Sequence, residues 1–201
     1  MKKAVSITFA LFLMQSFIIG QSITSEERKK VINHLKSSKS ELLATIKGLS
    51  ENQLNFKPAK EEWSIAECVE HIAISEANIF GMFEMTIKEE PNPSRRSEVK
   101  MSDEQVLGLI ASRANKVKTR QEFEPTNSFG SYAESIEAFT DKRKSNIKYM
   151  KSSEEDMRNR YFVFPFGTID SYQIVLFMSG HTSRHTDQIK EVMRNSSFPS
   201  K

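Results

Sequence analysis

Four stretches of the chain place apolar residues three and four positions apart, the spacing that lines up side chains on one face of an α-helix. They are residues 25–49, 64–88, 131–151 and 172–193. A shorter stretch repeats the pattern weakly from Ser102 to Val117. The pattern predicts an all-α fold, an up-down four-helix bundle with an extra crossing helix between bundle helices 2 and 3.

Turn and capping residues mark the ends of the predicted helices. Ser64 is followed three residues later by Glu67, which is the capping-box pattern of a helix start. Thr24 or Ser25 can cap the first helix, and Gly48 marks its end. Residues 50–62, which contain Pro58, are expected to form a connector.

Residues 160–170 carry a group of aromatic side chains too apolar to stay exposed: Tyr161, Phe162, Phe164 and Phe166. We expect an extended lid or a short hairpin at the mouth of the bundle. Trp63 is expected to pack in the core. The basic triplet Lys142, Arg143 and Lys144 is interpreted as a solvated helix face and not as a binding patch.

The first 20 residues have the features of a secretory signal peptide. Lys2 and Lys3 precede an almost wholly apolar run that ends near Gly20. The alternative is an uncleaved membrane anchor, but the run is short for a spanning helix, which needs about 20 apolar residues. We therefore expect an exported protein, periplasmic or secreted, with residues 21–201 forming a single domain.

Charge excludes some partners. The chain has 29 basic and 26 acidic residues, a formal net charge of +3, and charges of both signs are interspersed. Cleavage after residue 20 would remove two lysines and leave +1. This balance argues against nucleic acid as a partner, and we expect no stable membrane partner either.

The histidines suggest a metal site. His181 and His185 are four residues apart on the last helix, so both imidazoles lie on one face, with Gln188 close to it. This is a common way to offer two nitrogens to one metal. A third ligand must come from elsewhere: His71 lies toward the apolar side of the second helix, whereas His34 lies in a polar run. Two buried unligated imidazoles are the less favoured interpretation.

Cys68 is the only cysteine, so the chain cannot form an internal disulfide. It lies one turn before His71. We interpret it as a small buried hydrophobic residue, in preference to a thiolate ligand or nucleophile.

The chain resembles the DinB-like superfamily in an ordered set of motifs. Trp63-Ser64-Ile65-Ala66-Glu67 precedes His71, and about a hundred residues later His181 and His185 precede Gln188-Ile189. The resemblance implies a four-helix bundle with a divalent metal bound by His71, His181 and His185, and a homodimer. Cys68 is not among the implied ligands. Members often carry a further histidine where this chain has Thr186, a difference expected to affect the rim of the site.

Three imidazoles match several metals by ligand type, and we favour zinc or nickel over iron or manganese. The expected function is a metal-dependent enzyme, a hydrolase or transferase acting on a small molecule. The alternative is a non-catalytic module that binds metal or a small ligand. A zincin protease is not supported, because Thr182 and not Glu follows His181. Metal affinity is expected to fall below about pH 6.5, the unperturbed histidine pKa.

Overall fold

The computed structural model describes residues 23–114 and 117–201, and over these residues the chain forms four long helices, four shorter helical segments and one hairpin. The predicted signal peptide over residues 1–20 lies outside the described residues. The α-helices are α1 (Ser25–Ile46), α2 (Glu51–Asn55), α3 (Ile65–Lys88), α4 (Asp103–Ala111), α5 (Tyr132–Ser152) and α6 (Ser171–Met193). The strands are β1 (Tyr161–Phe164) and β2 (Gly167–Asp170), and 3₁₀ turns cover Pro93–Glu98 and Gln121–Phe123.

The helix starts follow the capping chemistry of the sequence. Ser64 Oγ accepts a 3.2 Å hydrogen bond from the Glu67 amide, and the Glu67 carboxylate accepts a 2.8 Å bond from the Ser64 amide. Thr24 caps α1 in the same way, and Gly48 turns the chain after α1 with a φ of 73°. The expected connector between α1 and α3 contains the short helix α2, which Ser50 caps.

The bundle consists of α1, α3, α5 and α6, as the sequence predicted. Helices α1 and α3 each pack against both α5 and α6, and α4 crosses α6. Along α1 and α6 the buried residues pass from one hydrophobic cluster to the other, and along α3 and α5 they pass in the reverse order. The directions are therefore up, down, down and up, because the long connection through α4 carries the chain from the end of α3 to the opposite end of the bundle, where α3 begins, before α5 starts.

A layer of buried polar residues separates the two hydrophobic clusters. Each bundle helix contributes to it: Ser38 from α1, Ser75 and Glu76 from α3, Arg143 and Asn146 from α5, and Ser179 and Thr182 from α6. One cluster lies on the side of Leu35, Phe83 and Met150, and the other on the side of Leu42, Ile72 and Phe139. Hydrogen bonds in this layer, as well as apolar packing, therefore fix the positions of the four helices relative to one another along the bundle axis.

Arg143 is the centre of this layer, and the expectation of a solvated basic triplet was wrong for it. Its side chain is 0% exposed and binds both carboxylate oxygens of Glu76 at 2.7 Å. It also donates to Ser38 Oγ, to the Leu35 carbonyl and to Thr182 Oγ1, each at 2.8 Å. The free-energy cost of burying this guanidinium is offset because each of its N–H groups donates to a partner.

The aromatic segment forms the expected hairpin, with Phe162 opposite Ile169 across the antiparallel pair. Phe164 stacks on Phe177 of α6, with ring centroids 5.2 Å apart, and anchors the hairpin to the bundle. Val163 points outward and is 65% exposed.

The crossing helix is shorter than the predicted stretch from Ser102 to Val117. Helix α4 ends at Ala111, and Val117 is 76% exposed. Helix α4 lies very close to α6. A Cβ atom at Gly180 would lie 3.1 Å from the carbonyl oxygen of Leu107, so glycine lets the two backbones nearly touch. Within the described residues, none of the helices combines the length and the apolar character that crossing a membrane requires.

We predict that Arg143→Met lowers the free energy of unfolding by about 3–5 kcal/mol, because it leaves Glu76 buried without its charged partner. Chemical denaturation measures this. Lys144→Met, at the exposed neighbouring position, is the matched control and should change stability by no more than about 0.5 kcal/mol. Equal effects of the two substitutions would contradict a special role for the buried pair.

Candidate metal centre

Three histidines from two helices converge at the level of the polar layer. His71 is on α3, and His181 and His185 are one turn apart on α6. The Nε2 atom of His71 lies 3.3 Å from Nε2 of His181 and 3.1 Å from Nε2 of His185. The structure therefore brings together the three residues singled out in the sequence. His34, on α1, is not among them.

A backbone carbonyl orients His71. Its Nδ1 atom lies 2.6 Å from the carbonyl oxygen of Phe123, in the turn before α5. Because a carbonyl oxygen only accepts, Nδ1 carries the proton, and Nε2 keeps its lone pair. A ligating histidine commonly makes such a bond with its other nitrogen.

A series of side-chain hydrogen bonds orients the imidazole of His185 in the same way. Its Nδ1 atom lies 2.9 Å from Oε1 of Gln188, and Arg113 donates to the same oxygen at 3.3 Å. Arg113 is itself paired with Glu191 at 2.7 Å. The amide oxygen of Gln188 thus faces His185, so Nδ1 donates and Nε2 is again the free nitrogen. Gln188 was expected as a neighbour of the site, but Arg113, beyond the end of α4, was not.

The donor set fits a divalent metal. With metal–nitrogen bonds of about 2.0–2.1 Å, two imidazole nitrogens on a tetrahedral centre are about 3.3 Å apart. The spacings from His71 Nε2 to His181 and His185 are close to this value. At His71 and His185 unprotonated nitrogens face each other at 3.1 Å, an arrangement that a cation between them would stabilise.

The surroundings keep the imidazoles neutral. Burial lowers the pKa of His71 to about 4, although its hydrogen bond to Phe123 acts in the opposite direction. Burial is also the largest cause that lowers the pKa of His181 and His185 well below the usual value, and mutual repulsion among the histidines adds to it. Competition from protons should therefore set in well below pH 6.5, the value expected from the unperturbed pKa.

Aromatic rings border the cluster on two sides. The ring centroid of Trp63 is 4.7 Å from that of His71 and 6.1 Å from that of His185. Trp63 also packs against the apolar core, so its expected core role is combined with a place in the wall of the site. On the other side Phe177 lies parallel to His181, with centroids 6.2 Å apart. Phe177 therefore links the hairpin to the histidine cluster, because it stacks on Phe164 as well as on His181.

Two further residues lie outside the donor set. Cys68 is fully buried among apolar side chains, and burial raises the pKa of its thiol to about 12, as expected for a small hydrophobic residue. Thr186 is also fully buried and donates to the Thr182 carbonyl at 2.8 Å. Its hydroxyl is therefore used inside α6, and the effect of a threonine in place of a further histidine on the rim of the site stays a prediction.

Comparison with known proteins agrees with this fold. The chain is 29% identical to the uncharacterized protein YuaE of Bacillus subtilis (strain 168) over 148 residues, which are 73% of this chain and 87% of YuaE. Its fold is similar to that of YfiT from Bacillus subtilis, with a TM-score of 0.53 and 19% identity over 89% of this chain and 92% of YfiT. YfiT is described as a probable metal-dependent hydrolase with an unusual four-helix bundle topology. The sequence model of the DinB superfamily matches residues 34–189, so the chain belongs to the DinB superfamily.

Proposed function

We propose that this protein is a metal-dependent hydrolase that uses His71, His181 and His185 to bind one divalent metal. The observation that carries the proposal is the convergence of three Nε2 atoms, with the protons of His71 and His185 held on Nδ1 by Phe123 and Gln188. A metal with three protein ligands polarises substrate oxygens and lowers the pKa of water in its open position. Zinc or nickel is the proposed metal, with iron or manganese as alternatives.

Two further points favour hydrolysis. The similar fold of YfiT, described as a probable metal-dependent hydrolase, offers a precedent for this chemistry on this architecture. The proposed export of the chain would also separate it from cytosolic thiol cofactors, which makes water the more available co-substrate. The proposed substrate is a small molecule.

The residues around the histidines have defined tasks in this proposal. Trp63 and Phe177 cover the imidazoles and limit the access of bulk water. The Phe123 carbonyl and Gln188 hold two of the imidazoles in the tautomer that leaves Nε2 free. Burial keeps the three side chains neutral, so no proton has to leave before a metal binds near neutral pH.

Metal content tests the ligand set. His71→Ala, His181→Ala and His185→Ala should each lose most of the bound metal, since two remaining imidazoles hold a divalent ion poorly. His34→Ala, a histidine of α1 outside the cluster, should keep it. Elemental analysis after mild purification measures the content. Full metal in folded His181→Ala and His185→Ala proteins would refute the site.

The pH dependence of stability tests the burial of the histidines. The folded-state pKa of His71, about 4, lies below the unfolded value of about 6.5, so between these values only the unfolded chain takes up the proton. We expect the metal-free protein to lose stability as the pH falls through this window, by about 1 kcal/mol per pH unit from His71. Denaturation at pH 5 to 7 shows it. A His71→Ala protein with an unchanged slope would contradict the assignment.

Turnover tests the reaction class. Metal-loaded protein should hydrolyse members of a panel of ester and amide substrates, and both the metal-free protein and His185→Ala should be inactive on the same substrates. A thiol-transfer panel run in parallel serves as the alternative. Turnover of thiol acceptors without any hydrolysis would replace the hydrolase proposal with a transferase.

A further inference from the structure

The hydroxyl of Ser75 is buried and unpaired. Ser75 is 1% exposed, and its Oγ atom has no hydrogen-bond partner among the described residues. Other buried hydroxyls on the helices have a partner. Those of Ser38, Thr86, Ser135, Thr182 and Thr186 donate to a carbonyl three or four residues earlier, and those of Ser171 and Ser179 donate to other groups. A buried hydroxyl without a partner is costly, so the exception calls for a partner outside the chain.

Two relations place Ser75 on the same side of α3 as His71 and at the height of the histidine cluster. On α3 it lies one turn after His71 and therefore on the same side of the helix. Its neighbour Glu76 is bonded to Arg143, which donates to Thr182, the residue after His181 on α6. Ser75 is thus at the height of the histidine cluster on α3, and the polar layer fixes that height.

We propose that Ser75 is a substrate-binding residue, whose hydroxyl donates a hydrogen bond to an oxygen of the small molecule held at the histidine site. This inference rests on the proposed function and adds to it a preference for substrates with a carbonyl or carboxylate oxygen. A neutral donor at that position binds such an oxygen without adding charge to a site bordered by Trp63 and Phe177.

Acetohydroxamate, a small oxygen-donor ligand of zinc, provides the probe. With zinc-loaded protein, Ser75→Ala should bind acetohydroxamate about three- to tenfold more weakly, which corresponds to the loss of one hydrogen bond. Zinc affinity itself should change less than twofold, because Ser75 is not one of the ligands. Calorimetry measures both constants.

Ser179→Ala is the matched control. Ser179 is a buried serine of the same layer, but its hydroxyl already donates to Ser38 Oγ at 3.1 Å. This variant should bind acetohydroxamate as the wild type does. Without metal, Ser75→Ala should be as stable as the wild type or more stable, because it removes an unpaired hydroxyl, whereas Ser179→Ala should be less stable.

Three results would count against these ideas in distinguishable ways. Unchanged acetohydroxamate affinity in Ser75→Ala overturns the inference and leaves the metal site intact. A clear loss of stability in metal-free Ser75→Ala also overturns it, because the hydroxyl would then be paired to a buried water or to the protein. Wild-type protein that binds none of zinc, nickel, iron and manganese overturns the proposed function itself.

Discussion

The buried ion pair between Arg143 and Glu76 determines how the four bundle helices align. Apolar side chains allow helices to slide by small steps, since one hydrophobic contact can replace another, but a bidentate guanidinium–carboxylate pair has one geometry. Arg143 extends this constraint to α1 through Ser38 and to α6 through Thr182. A pair of this kind adds little net stability, but a displaced helix would leave a buried charge unpaired.

The geometry of the proposed metal site depends on this alignment of the helices. His71 precedes Glu76 on α3 by little more than one turn, and His181 directly precedes Thr182 on α6. The two bonds to Arg143 therefore fix the relative heights of the histidines from the two helices. Preorganisation of this kind matters because ligand nitrogens must meet within a few tenths of an ångström for a metal to bind well.

Periodicity and capping residues predicted the bundle because they are local signals. The four apolar stretches became α1, α3, α5 and α6, and the box formed by Ser64 and Glu67 starts α3 as predicted. Local signals do not determine the directions of the helices, because these depend on which end of the bundle the long connection between α3 and α5 reaches. The convergence of His71 on the pair in α6 followed from spacing and from a family resemblance together.

The residues that sequence reasoning missed are those whose role depends on distant partners. Arg143 was hidden in a basic triplet, although it lies four residues after Phe139 and seven before Met150, on the buried stripe of α5. Arg113 acts from beyond the end of α4 on Gln188, and no local pattern links them. Ser75 is an ordinary helix residue until its lack of a partner is seen in three dimensions.

The contact between His71 and Phe123 has a consequence for how the site can vary between related chains. The acceptor is a main-chain oxygen, which every amino acid supplies, so substitution at position 123 preserves the atom that orients the imidazole. A deletion or insertion in the segment between α4 and α5 would shift that oxygen even if every histidine were retained. The length of this segment and the packing of the Phe123 ring against the core therefore both determine the orientation of His71.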